Sequence, residues 1–293
     1  MSIVNAIPQV WAANILRALN TLLVYGNPAI INTDYDGDIA AQGDTVKITT
    51  LGDVTVKDYS RDADIEAPEA LTDAQLTLTI DQQKYFNFAV DDIDKRQAIP
   101  GLMDEASRRA AYGLRKSTDS FIASHFTDIA AGNFSGSDAS PEKVKTAGVE
   151  SAYNSIIDLG VLLDATDTPE DSRFVVVPPW MVGYLEKDLR FIGYGTAPNR
   201  KMLEEGLAPT TNGLVGRAGG FDVYQSNQVP NTEGKKYKII AGHKMAWSFA
   251  DQLVETVAFR PERRFADALK GLHVYGAKVV RPSNLACLVA NNE

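Results

Sequence analysis

Apolar and polar positions change rhythm several times along this chain, and each change marks an element. Over residues 9–25, Val10, Trp11, Ile15, Leu19, Leu22 and Leu23 recur at helical spacing with Asn14, Arg17 and Asn20 between them. This predicts an amphipathic helix, ended by Gly26-Asn27-Pro28. From Asp34 to about Asp94 the period becomes two. Val46 and Ile48, Val54 and Val56, Leu76, Leu78 and Ile80, and Phe86, Phe88 and Val90 alternate with Thr, Lys, Gln and Asn, as in half-buried strands. Residues 57–75 between the two halves are charged and poor in apolar side chains, so the whole reads as an extended ribbon with a long exposed tip. A two-stranded ribbon is at best marginally stable in water. It lacks a core of its own and needs a surface beneath it, which adjacent subunits must supply if its own domain does not.

Pro100-Gly101 opens a stretch running to about Ala131 with no interior proline and with Leu102, Ala106, Ala110, Leu114, Phe121 and Ile122 near one face. It predicts one long helix of roughly 30 residues, on the order of 45 Å. Arg108, Arg109, Arg115, Lys116 and Asp119 fall on its other face, as a solvated or inter-subunit surface. Gly132–Pro141 has linker composition. A helix is predicted over 142–164, then RFVVVPP as a strand buried on both faces, then a helix over 180–191 led by Pro179. Residues 193–220 read as a long irregular loop, and FDVYQSNQVP, KYKIIAGH and the alternation of Met245, Trp247 and Phe249 as strands. The closing stretch gives VETVAFRPE, GLHVYGAKVVRP and LACLVA, with RPERRFADALK as a charged turn after the first. The fold class is α+β.

Composition narrows the role. With 44% hydrophobic and 23% charged residues the chain reads as globular. Its 29 Lys and Arg against 38 Asp and Glu give a net charge of -9, which repels phosphate, and basic runs stop at pairs such as Lys235-Lys236 and Arg263-Arg264. Enclosing DNA is compatible with this, because a container gains from not sticking to its contents. No stretch reaches the length of a membrane span, and no basic residue precedes Arg17 as a signal peptide would require. Cys287, the lone cysteine, reads as a small buried apolar residue.

Catalytic and ligand-binding patterns are missing from these elements or fall short of their required spacing. His125, His243 and His273 have no metal-ligand spacing, and H-E-x-x-H, C-x-x-C, G-x-S-x-G and the phosphate-binding G-x-x-x-x-G-K-[ST] are absent. Asp34-Tyr35-Asp36-Gly37-Asp38 opens like a calcium loop but has Ile39 where glycine is required and Thr45 where a bidentate Glu is required, so it reads as a polar turn. Gly213, Gly216, Gly219 and Gly220 lack dinucleotide spacing and run into a strand, which leaves a flexible loop. Asp91, Asp92 and Asp94 read as solvated. Neither a cofactor nor a metal is expected.

Taken in order, these segments resemble the tailed-bacteriophage major capsid protein family, whose fold is shared with encapsulins. The resemblance rests on the hairpin return LTDAQLTLTIDQQKYFNFAVDDID, the RFVVVPPW segment and GLHVYGAKVVRP, and covers nearly the whole chain. It implies an N-terminal arm (1–33), an extended hairpin loop (34–98), a peripheral-domain spine helix and linker (99–139), an axial domain (140–250) and returning peripheral strands (251–293). It implies a non-enzymatic shell subunit that assembles with itself as pentamers and hexamers around double-stranded DNA, without sequence-specific binding and without a membrane. The location would be the virion capsid, assembled in the host cytoplasm. Because the chain begins directly with the arm, a separate scaffolding protein is expected, along with a portal and a decoration protein. Some relatives cross-link a loop lysine to a neighbour's asparagine. Lys57 matches by position alone, and cross-linking is not expected here. Subunit contacts are expected at Trp11, Lys57, Arg61, Asp62, Asp64, Glu66, Arg260, Arg263 and Arg264. The rival readings are an encapsulin-like compartment and an oligomeric enzyme.

Overall fold

The structure, a computed structural model, describes residues 23–34, 45–51, 61, 73–91, 102–146, 148, 150–188, 190–191, 213–262 and 265–292. In chain order its strands are β1 (Thr45–Leu51), β2 (Asp73–Thr79), β3 (Gln82–Asp91), β4 (Phe134–Ser135), β5 (Glu142–Lys143), β6 (Arg173–Val177), β7 (Leu214–Ala218), β8 (Phe221–Gln225), β9 (Asn231–Thr232), β10 (Lys236–His243), β11 (Trp247–Phe259), β12 (Ala266–Val279) and β13 (Leu285–Asn291). The α-helices are α1 (Leu102–Ser124), α2 (Ala152–Asp164) and α3 (Pro179–Leu185).

Most of the core lies on a sheet ordered β4-β13-β10-β6-β8-β7, with β5 also on β13 and β9 also on β10. All of β6 is buried, as an apolar run covered on both faces requires. Pro179 opens α3 in the first turn, where its missing N–H costs nothing. The predicted helix over 142–164 begins only at Ala152, because Ser151 caps it through its Oγ, 3.3 Å from Asn154 N, and the preceding Glu142–Lys143 pairs in parallel with β13. Nor is 132–141 a free linker. Asn133 is buried and donates through Nδ2 to the carbonyls of Ser283 at 2.6 Å and Leu285 at 2.8 Å. The predicted loop over 193–220 ends in a hairpin: β7 and β8 meet at Gly219-Gly220, whose φ values of 57° and 87° are those of a two-residue primed turn.

A second sheet, ordered β11-β12-β3, is built on a long antiparallel ribbon with a bulge between Leu253 and Glu255. Here two sequence expectations change. Ala266–Lys270, read as part of a charged turn, begin β12. Phe86 and Phe88, assigned to the hairpin return, have left it and pair with β12 as part of β3. Phe86 lies opposite Gly271, where its ring occupies the space a side chain would need: a Cβ there would stand 2.5 Å from the ring.

The hairpin is β1 and β2, with Val46 opposite Leu78 and Ile48 opposite Leu76. Val46, Ile48, Leu78 and Ile80 form a small core with Ala250 of β11 and Val274 of β12. The base of the ribbon is therefore supported by its own chain, which corrects the expectation that it lacks a core. The approach is close because β12 carries Gly276 beneath it, where a Cβ would stand 2.5 Å from the Thr79 carbonyl oxygen.

Helix α1 has 23 residues, about 34 Å. It stops short of the predicted Ala131 because the chain tightens into a 3₁₀ turn over His125–Asp128, with the Ser124 hydroxyl donating to the Phe121 carbonyl at 2.6 Å. Residues 23–34 form a strap between α1 and β11. Ile30 and Ile31 are fully buried, Trp247 Nε1 donates to the Ile30 carbonyl at 2.8 Å, and Asn32 bridges to Ser248. At its start the N–H groups of Val24, Tyr25 and Gly26 donate to the Asp119 carboxylate at 3.2, 3.0 and 3.4 Å. Asp119 is expected from the sequence on a solvated or inter-subunit face of the helix. It is instead buried, because the strap lies over that face and gives the carboxylate three donors.

Candidate assembly surfaces

The three histidines and the cysteine are engaged in structure. Each histidine has its own aspartate: His125 with Asp128 at 2.9 Å, His243 with Asp171 at 4.0 Å and the buried His273 with Asp251 at 2.9 Å. Burial holds the His243 pKa below its ordinary value. Burial pushes the Cys287 thiol up to about 12, which keeps it from being a nucleophile near neutral pH. Among the described residues no group of His, Cys, Asp and Glu could hold a metal ion, and no helix is long and apolar enough to cross a membrane.

The expected contact residues divide by position. Arg61 is exposed at a turn in the stretch between β1 and β2, and Arg260 is exposed just beyond the end of β11. Trp11, Lys57, Asp62, Asp64, Glu66, Arg263 and Arg264 lie outside the described residues, as do Asp92, Asp94 and most of the calcium-like loop after Asp34.

Other exposed apolar side chains stand out instead. Tyr85 and Phe265 are 78% and 82% exposed. In the pairing of β3, β12 and β11, Tyr85 is opposite Leu272, and Asn87 and Val257 flank Lys270. These residues line a groove of about 270 Å³ on the β11-β12-β3 sheet. Nearby, the Lys270 ammonium sits 5.4 Å from the centre of the Phe259 ring. The period-2 alternation around Tyr85 was visible in sequence, but it could not say which face lay open, because that depends on β12 pairing from far along the chain. On the other sheet, Arg190 ties the chain entering residues 192–212 to the start of α2. It donates to Asp188 Oδ2 at 2.7 Å, Ser151 Oγ at 2.8 Å and Asn154 Oδ1 at 2.8 Å, and its hydrogen bond to Asp188 holds that carboxyl below the usual range.

The three-stranded sheet thus bears the exposed Tyr85 and carries the base of the hairpin packed against it. The family model of the phage capsid protein matches residues 73–288. The chain belongs to the phage capsid protein family. A solved structure from Mycobacterium phage Che8 is similar at 27% identity, with a TM-score of 0.61 over 88% of each chain. The capsid of Ralstonia phage GP4 shares the fold at 11% identity, with a TM-score of 0.64 over 94% of this chain and 90% of that one. An encapsulin from Synechococcus elongatus shares it at 12% identity, with a TM-score of 0.52 over 86% and 83%. No curated protein sequence matches.

Proposed function

We propose that this chain is the major capsid protein of a tailed phage, a shell subunit without catalytic activity whose copies assemble through pentamers and hexamers into an icosahedral head. The observation that carries this reading is the family match over most of the chain, joined to a fold whose hairpin is packed on its own sheet at its base. The acidic net charge of -9 suits a lumen that holds double-stranded DNA without binding it tightly. A scaffolding protein, a portal and a decoration protein are the partners this role implies, and the host cytoplasm is the place of assembly. The hairpin tip, including Lys57, Arg61, Asp62, Asp64 and Glu66, is assigned to contacts with neighbouring subunits, as are Trp11, Arg260, Arg263 and Arg264.

Sedimentation velocity of the purified protein, alone and with its scaffolding partner, tests this. Ring-sized or shell-sized species growing with concentration are expected, and a single monomeric species across the whole range would overturn it. The encapsulin fold match supports a second reading, a compartment loaded with protein. Purified particles that contain a bound enzyme and no packaged DNA would favour it.

A further inference from the structure

Two passages of the chain between the sheets meet at one carbonyl. His243 ends β10 on the larger sheet and Trp247 begins β11 on the smaller, with a 3₁₀ turn over Lys244–Ala246 between them. On the way back from β12 to β13, the N–H groups of Val280 and Arg281 both donate to the Ala246 carbonyl, at 2.8 and 2.9 Å. The turn that presents this carbonyl is capped by His243, whose Nδ1 accepts from the Met245 N–H at 3.3 Å. That bond requires a lone pair on Nδ1, so the ring proton sits on Nε2; in the imidazolium both nitrogens carry protons and the acceptor is gone. The side chain is only 7% exposed. Three cations face it from the elements packed around it: Arg173, directly opposite on β6 and itself paired with Asp164 at 2.8 Å, Lys244 in the turn, and Arg281 after β12. Asp171 is the facing anion among the described residues. Its carboxylate stands 4.0 Å from Nε2, beyond hydrogen-bond reach, and is 81% exposed to screening water.

We propose that His243 is a proton-released cap at this joint: neutral, it holds the 244–246 turn and through Ala246 the returning chain; protonated, it gives up the turn and loosens the joint. The direction follows from the geometry, because protonation removes the acceptor for the Met245 N–H and buries a charge among cations. In keeping with this, burial holds the His243 pKa below its ordinary value; Asp171 pulls the other way, and Lys244, Arg173 and Arg281 add to the lowering. The hold is fully present above the ordinary histidine range and is lost as pH falls from that range to the lowered value. The hydrogen bonds released lie outside the ladders of both sheets, so mild acid frees the joint and leaves the sheets paired.

Hydrogen exchange of the purified, unassembled subunit, corrected for intrinsic rates, tests the cap. Peptides covering 244–249 and 278–284 are expected to lose protection several-fold at about pH 5 relative to about pH 7.5, on the two sides of the ordinary histidine range. Peptides from β6 and β8 should not follow. His243→Asn replaces the ring with a neutral side chain that also caps through the N–H two residues on, so it should keep the protection and lose its pH dependence. Equal protection at the two pH values, the same dependence surviving in the variant, or a parallel loss through β6 and β8 would each overturn the proposal. Should the variant not fold, nitrogen-15 spectra of the wild-type His243 ring decide. An unprotonated Nδ1 at neutral pH that titrates below the ordinary histidine value supports the cap; a protonated Nδ1, or a midpoint at or above that value, refutes it.

Discussion

Gly276 shows how a single position can decide whether the hairpin sits. It has no side chain because the Thr79 carbonyl and Ile80 come down onto β12 at that point, leaving no room for a Cβ. Gly276→Ala is expected to cost about 1–3 kcal/mol through overpacking against backbone that cannot yield. Urea unfolding of the unassembled subunit measures this, and an unchanged midpoint would show that the hairpin base is not seated as described. Trp247 is the opposite case, a large side chain that binds distant segments. Its ring stacks on Phe174 with centroids 5.6 Å apart while its Nε1–H reaches the Ile30 carbonyl, so one residue of β11 joins the strap to β6. Neither role could be read from the sequence, where Gly276 is one glycine in a strand and Trp247 one member of an alternation.

At the scale of elements, legibility followed locality. The β6 strand, with RFVVV buried throughout, the start of α3 at Pro179, and strands β8, β10 and β13 were visible because their patterns are local and strong. The hairpin return misled because Phe86 and Phe88 resume, beyond the polar Gln82 and Lys84, the same two-residue phase as Leu76, Leu78 and Ile80, although the chain changes partner between Thr79 and Gln82. Nothing in a period of two marks a change of partner. The segment Gly132–Pro141 misled by composition: small polar residues that suit a linker also suit short pairings along β13. Asp119 misled because helical periodicity cannot foresee a strap from 95 residues away supplying its donors. Of the expected contact residues, only Arg61 and Arg260 fall where the structure describes them, and neither is in a position that periodicity alone could single out.

The support of the hairpin base by its own chain has a measurable consequence. In free subunits, amides around Val46, Ile48, Leu78 and Ile80 should be protected from exchange, because they share a buried cluster with β11 and β12. Residues 52–72 should gain protection only on assembly. Strong protection of 52–72 in the free subunit would mean that the tip is satisfied by its own chain, removing the reason for assigning its charged residues to neighbours.

For the molecule as a whole, one well-buried sheet holds most of the core, while the thinner sheet leaves large apolar side chains such as Tyr85 and Phe259 exposed. Exposed ion pairs contribute little individually, so the energy of association is expected from apolar faces such as the one around Tyr85 and Leu272, repeated over many contacts. Electron micrographs of the purified protein under assembly conditions, with its scaffolding partner supplied, test that account most directly. Closed shells or five- and six-membered rings, with the hairpin traced across a neighbouring subunit, are the predicted result. Isolated single subunits at every concentration, with the hairpin folded back along its whole length onto its own chain, would contradict it.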